Sequence, residues 1–120
     1  LDCDCGEIPI VDSEDTMIPI GVVTDRDITC RLVALRRDPL LSDAKTVMTS
    51  PALTVSADAM VSACCRLMKD HLVRRLVVVD EGGRLIGMLS QADLIKHVPE
   101  QTAELLRRVS LPTSRPSMQL

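Results

Sequence analysis

Residues 21–28 read GVVTDRDI, and residues 87–94 read GMLSQADL. Each stretch is a glycine, two apolar residues, a hydroxyl residue, two variable positions and an aspartate. Gly21 and Gly87, Thr24 and Ser90, and Asp27 and Asp93 all stand 66 residues apart. Upstream, EIPIVD at 7–12 matches RLVVVD at 75–80, with Asp12 and Asp80 separated by 68 residues. The turn in between is therefore two residues longer in the first copy. A repeat at a fixed offset identifies a duplicated supersecondary unit rather than a chance motif.

Each copy reads as strand, turn, strand, helix. In the second, the β-branched run 76–79 ends in Asp80-Glu81-Gly82-Gly83, a turn signal, and 85–89 is the returning strand. A helix from Ser90 to about residue 97 is limited by Pro99. In the first copy the strands fall at 8–11 and 18–23. The helix is expected over about 25–37, with acids in its first turn, Arg36-Arg37 in its last and Asp38-Pro39 as its stop. The second copy has an additional upstream part: a strand at 53–55 and a helix over about 57–70. Met60, Val61, Cys64, Leu67 and Met68 fall there at helical spacing and predict one buried face. The matching part of the first copy would lie before Leu1, so the chain is expected to begin inside its first repeat. Residues 100–109 read as a further helix, and the Pro/Ser-rich end SLPTSRPSMQL as a poorly ordered tail.

Composition narrows the function. At 120 residues, with 46% hydrophobic and 26% charged, the chain is domain-sized and able to bury a core. It has no aromatic residue, so the core is aliphatic and any bound base lies between aliphatic side chains. A formal charge of −3 argues against nucleic-acid binding by broad charge neutralisation. No apolar run of 18 residues and no signal peptide is visible, which points to a cytoplasmic protein with no membrane partner. The five cysteines are odd in number, Cys64 and Cys65 are adjacent, and no Cys-x-x-Cys occurs. Neither a disulfide framework nor a metal site is expected. No Ser-His-Asp or Cys-His set and no Walker-type loop suggests catalysis, and Asp25 and Asp27 point apart at a helix start.

Residues 47–95, VMTSPALTVSADAMVSACCRLMKDHLVRRLVVVDEGGRLIGMLSQADLI, resemble one complete cystathionine-β-synthase (CBS) domain. CGEIPIVDSEDTMIPIGVVTDRDI resembles the second half of another. The resemblance covers about residues 1–98. It implies an α/β (α+β) fold of tandem β-α-β-β-α repeats, each with a small mixed sheet packed against helices. The repeats would be 1–44, lacking its N-terminal part, and 45–98, followed by a C-terminal helix and flexible tail at 99–120. Family members pair two repeats into a Bateman module and commonly form homodimers. Their clefts often bind AMP, ADP, ATP, S-adenosylmethionine or NADH.

Carried over by resemblance, Asp27 and Asp93 accept ribose hydroxyls, while Thr24 and Ser90 meet phosphate. A carboxylate suits a diol. The basic pair before the apolar strand is Arg74-Arg75 in copy two, suited to bidentate phosphate contacts. Copy one has Gly6-Glu7 there, and Arg26, where copy two has Ala92, is its partial substitute. Val22, Met88 and Ala52 are candidates for an adenine slot. The expectation is a non-catalytic sensor of an adenine nucleotide, needing no cofactor, dimeric, with an effector protein as a possible further partner. The alternative is a structural dimerisation module with empty clefts. On a single occurrence, Thr24-x-x-Asp27 or Ser90-x-x-Asp93 is only a helix capping box.

Overall fold

A computed structural model of the chain describes residues 5–97. The segment 100–109 and the tail, expected as helix and flexible end, lie outside the described residues, as does Cys3. Two compact units are present. One takes the residues up to Ala57 with Val77–Gly87, the other Asp58–Leu76 with the residues from Met88 onward. Strand β3 (Thr54–Ser56), strand β4 (Arg75–Val79) and strand β5 (Leu85–Ser90) form one three-stranded sheet in the order β3-β4-β5. β3 and β4 are parallel, with Val55 opposite Val78.

In the first unit, β1 (Glu7–Val11) and β2 (Pro19–Thr24) pair antiparallel, with Ile10 opposite Gly21 and an irregularity after Ile10. Asp12 organises the turn. Its Oδ1 accepts from Ser13 N at 2.8 Å, Thr16 Oγ1 at 2.6 Å and Ile18 N at 2.9 Å. The Thr16 hydroxyl is the main reason the Asp12 carboxyl is held below the usual carboxylate range. Asp80 does the same work in the β4–β5 turn, accepting from Gly82 N and Arg84 N at 2.9 Å each. Gly83 there has φ +79°, a conformation that favours glycine. The two aspartates paired by sequence are thus the same device used twice.

Helix α1 (Asp25–Arg31) stops six residues short of its expected end at 37. Leu32 turns inward, 3% exposed, and a 3-10 turn at Val33–Leu35 follows. Arg36 closes it in the left-handed region at φ 54°. Burial of Leu32 and the poor helix propensity of Val33 override the basic end signal. Asp38 then caps a second 3-10 turn at Pro39–Leu41, and Asp43 caps the one-turn helix α2 (Ala44–Val47), which the hydrophobic pattern does not announce. Beyond α2 the chain runs extended beside β2: Val22 N donates to Thr49 O at 2.9 Å and Thr49 N to Val22 O at 2.8 Å.

Helix α3 (Val61–His71) begins four residues later than expected. Ala57 N is still donating to Val79 O in the sheet, so the helix cannot start there. Met60 is an extended cap, 74% exposed, and Val61 is 44% exposed; neither belongs to the buried face. That face is Cys64, Cys65 and Met68, so the expected packing role of Cys64 holds and Cys65 joins it. Burial pushes both thiols up from the usual range, which suits packing rather than nucleophilic chemistry. Leu72, left-handed at φ 54°, ends the helix. Helix α4 (Gln91–His97) buries Gln91 and Leu94.

Candidate functional site

The two copies of the motif, alike in sequence, differ in which described residues surround them. In both, the hydroxyl residue ends a β-strand and caps the next helix, so strand pairing fixes its backbone and the aspartate follows one turn later. In copy one, Thr24 Oγ1 accepts from Asp27 N at 3.1 Å, while Asp27 Oδ2 accepts from Thr24 N and Thr24 Oγ1 at 2.9 Å each. This is a complete capping box. Asp27 is only 8% exposed, and its Oδ1 accepts from Thr49 Oγ1 at 3.1 Å and faces Arg31 Nη1 at 3.5 Å. Arg31 Nη1 also donates to Val47 O at 2.6 Å and Met48 O at 2.7 Å. Arg26 lies apart from this network. Its N–H donates to Asp25 Oδ1 at 2.8 Å, and it lines an open depression with Asp25, Thr29 and Cys30.

In copy two, Asp93 Oδ2 accepts from Ser90 N at 3.0 Å and Ser90 Oγ at 2.5 Å, and Ser90 Oγ accepts from Asp93 N at 3.1 Å. Asp93 is exposed, and among the described residues nothing bonds its Oδ1. The Ser90 hydroxyl is the first cause of an Asp93 carboxyl held below the usual range, with Lys96 and His97 adding in the same direction. Asp93 therefore stands ionised at neutral pH.

A recess of about 360 Å³ is lined by Arg74, Arg75, Ser90, Gln91, Ala92 and Ile95. Such a volume falls in the range of small-molecule sites. Three of the residues proposed from sequence thus meet around one space. The basic pair is brought there by the hydrogen bond from Gln91 N to Arg74 O at 2.8 Å, which ties the start of α4 to the residue before β4. Arg75 is the first residue of β4 rather than a residue before it. Arginine and serine side chains carry the donors that an anion with several acceptor oxygens requires.

Val22, Met88 and Ala52 are half-buried, and line neither this recess nor the copy-one depression. Gln91, Ala92 and Ile95 carry no motif signal, yet their spacing along the helix that Ser90 opens places them beside the recess. Arg31, four residues after Asp27, carries a helical ion-pair signal. Thr49 carries none, because its approach to Asp27 is tertiary. Among the described residues no group of three or more His, Cys, Asp or Glu is arranged to hold a metal ion, and no helix is long and apolar enough to cross a membrane.

Comparison with known proteins decides the lineage. The CBS domain family model matches residues 44–100. A solved CBS domain protein of Pyrobaculum aerophilum, complexed with AMP, superposes with TM-score 0.71 at 31% identity, covering 89% of this chain and 78% of that one. The chain belongs to the CBS domain family. Hypoxic response protein 1 of Mycobacterium tuberculosis is 34% identical over 97 residues, 81% of this chain and 66% of that protein. A crystal structure of hypoxic response protein I with two coordinated zinc ions superposes with TM-score 0.70 at 32% identity, covering 82% of this chain and 77% of that one. An uncharacterised protein of Methanopyrus kandleri is 34% identical over 100 residues, 83% of this chain. The chain spans half the length of that relative and about two thirds of the mycobacterial one. The CBS assignment agrees with the mixed α/β architecture and the small sheets expected from the repeat.

Proposed function

We propose that this CBS protein is a non-catalytic regulatory module that binds an adenine nucleotide through the second copy of its motif. The observation that carries the reading is the meeting of Arg74, Arg75 and Ser90 around one recess. The AMP held by the Pyrobaculum protein, 31% identical, supports an adenine nucleotide as the ligand class. In this reading the arginines and Ser90 receive phosphate and the open oxygen of Asp93 receives a ribose hydroxyl. Thr24, Asp27 and Arg26 are the corresponding set in the first copy, and Val22, Met88 and Ala52 remain candidates for base contact. Regulation would follow from unequal affinity of the nucleotide for two arrangements of the protein. A homodimer in the cytoplasm, an effector protein as its target, and no nucleic-acid or membrane partner complete the proposal.

A second reading is a dimerisation module that binds no nucleotide. It is favoured by exposed apolar side chains, with Leu40 93% and Leu41 86% exposed. Isothermal titration with AMP, ADP, ATP, S-adenosylmethionine and NADH separates the two. The regulatory reading predicts saturable heat with AMP, ADP or ATP. Protein purified with ligand would also show a clear 260 nm band, because the chain has no Trp or Tyr. No heat across the panel, together with a stable dimer by sedimentation, would establish the second reading instead.

A further inference from the structure

We propose that the Ser90 hydroxyl changes partner when nucleotide binds, leaving Asp93 for phosphate while a ribose hydroxyl takes its place on the carboxylate. The copy-two recess then reads phosphate and diol as one unit and favours a ribose phosphate over either part alone. The inference deepens the nucleotide reading above and rests on it. Donors and acceptors are matched between the two residues. A serine hydroxyl has one hydrogen to donate, and a carboxylate oxygen has about two acceptor positions. Ser90 Oγ gives its hydrogen to Asp93 Oδ2 at 2.5 Å and accepts from Asp93 N at 3.1 Å. Asp93 Oδ2 also accepts from Ser90 N at 3.0 Å, so both of its positions are filled. Thr24 and Asp27 repeat the arrangement, Thr24 N and Oγ1 both donating to Asp27 Oδ2 at 2.9 Å.

An ionised phosphate offers only acceptors. Ser90 lines the recess with Arg74 and Arg75, yet its hydroxyl cannot meet a phosphate oxygen while its single hydrogen stays on Asp93. Phosphate bound there takes that hydrogen bond from Asp93, and one charge-assisted bond is traded for another. Only the hydroxyl hydrogen has to swing, so Ser90 Oγ goes on accepting from Asp93 N and the helix cap survives. One acceptor position on Oδ2 is then vacated. A diol brings two hydroxyls to the carboxylate, one for Oδ1 and one for the vacated position. A nucleoside gains no such vacancy: with no phosphate to receive it, the Ser90 hydrogen stays on Asp93 and the second ribose hydroxyl finds Oδ2 full. Ser90 therefore sets specificity against nucleosides by a route separate from the charge of the arginines.

Dissociation constants for AMP and adenosine, measured by ¹⁵N shift titration of the whole chain, test the exchange. Ser90→Gly removes the hydroxyl, and glycine is tolerated at a helix cap. The ratio of AMP to adenosine affinity is expected to fall about fivefold, because adenosine tightens once Oδ2 is free. Ser90→Thr, which keeps a hydroxyl, is expected to restore the wild-type ratio. A fixed phosphate contact predicts instead that AMP weakens with adenosine unmoved, and a purely structural cap that both ligands weaken alike. Either result, or adenosine binding the glycine variant no better than wild type, would overturn the exchange but not the nucleotide reading. No AMP binding by the wild type would sink that reading, and the exchange with it. If thermal melting shows the glycine variant unfolded, the wild type decides alone. Dideoxyribose analogues must then lose more affinity relative to AMP than relative to adenosine, and equal losses would overturn the proposal.

Discussion

Replacing both Arg74 and Arg75 by alanine is expected to weaken AMP binding about 100-fold while leaving the fold intact. A hydrogen bond to a charged group contributes about 1.5–3 kcal/mol, and every 1.4 kcal/mol is tenfold in affinity. Arg74 is exposed and Arg75 half-buried, so solvent screening places each near the low end of that range. Two such losses multiply to about two orders of magnitude. The effect should follow charge: ATP should lose more than AMP, and adenosine, with no phosphate, should bind both proteins alike. Paired Arg→Lys substitutions keep the charges but not the bidentate fork, and should fall between. The readout is the dissociation constant by calorimetry. Equal loss for adenosine and AMP would mean that the arginines shape the recess rather than meet phosphate.

Leu76→Ala is expected to have the largest effect on stability. Leu76 is completely buried at 0% exposure, next in sequence to Val77 at 1%. Truncating a buried leucine removes transfer free energy and leaves a cavity, costing about 2–5 kcal/mol. With no aromatic residue in the chain, no large neighbouring ring can swing in to fill the space. We expect about 3–4 kcal/mol, a large share of a net stability of about 5–15 kcal/mol. The melting midpoint should fall by roughly 10–20 °C. Leu40→Ala, at a residue 93% exposed, should stay within about 0.5 kcal/mol of wild type. Chemical denaturation checks both. A Leu76→Ala loss as small as that of Leu40→Ala would contradict the position of the core.

Much of the fold was legible because period-2 runs and a repeated turn are local signals. The strands at 8–11, 18–23, 76–79 and 85–89 all appear within one residue of their expected bounds. The two turn aspartates, Asp12 and Asp80, pair by sequence alone. What local pattern could not show is where tertiary contacts end an element. α1 stops because Leu32 turns into the core, and α3 starts late because Ala57 belongs to the sheet. The site divides in the same way. That Arg74, Arg75 and Ser90 meet around one recess is tertiary, whereas each could be named as a phosphate contact from the family resemblance. The burial of Asp27 could not, because it depends on Thr49, which lies 22 residues from Asp27 and carries no helical or strand-period signal.

Gly21 has a tertiary reason of its own. The absent side chain makes room for Met48 and Thr49, since a Cβ there would stand 2.5 Å from Met48 Sδ and 2.9 Å from Thr49 O, which no inspection of the repeat alone would reveal.

The central claim, that nucleotide is taken by the copy-two recess, is tested most directly by ¹⁵N chemical-shift mapping during an AMP titration. The account predicts shifts concentrated on the Arg74 and Arg75 side-chain Nε–H groups and on the amides of Ser90, Gln91 and Ala92, with Thr24, Arg26 and Asp27 nearly still. Shifts centred on Thr24–Asp27 with the Arg74–Ser90 region silent, or no shifts at saturating AMP, would contradict it.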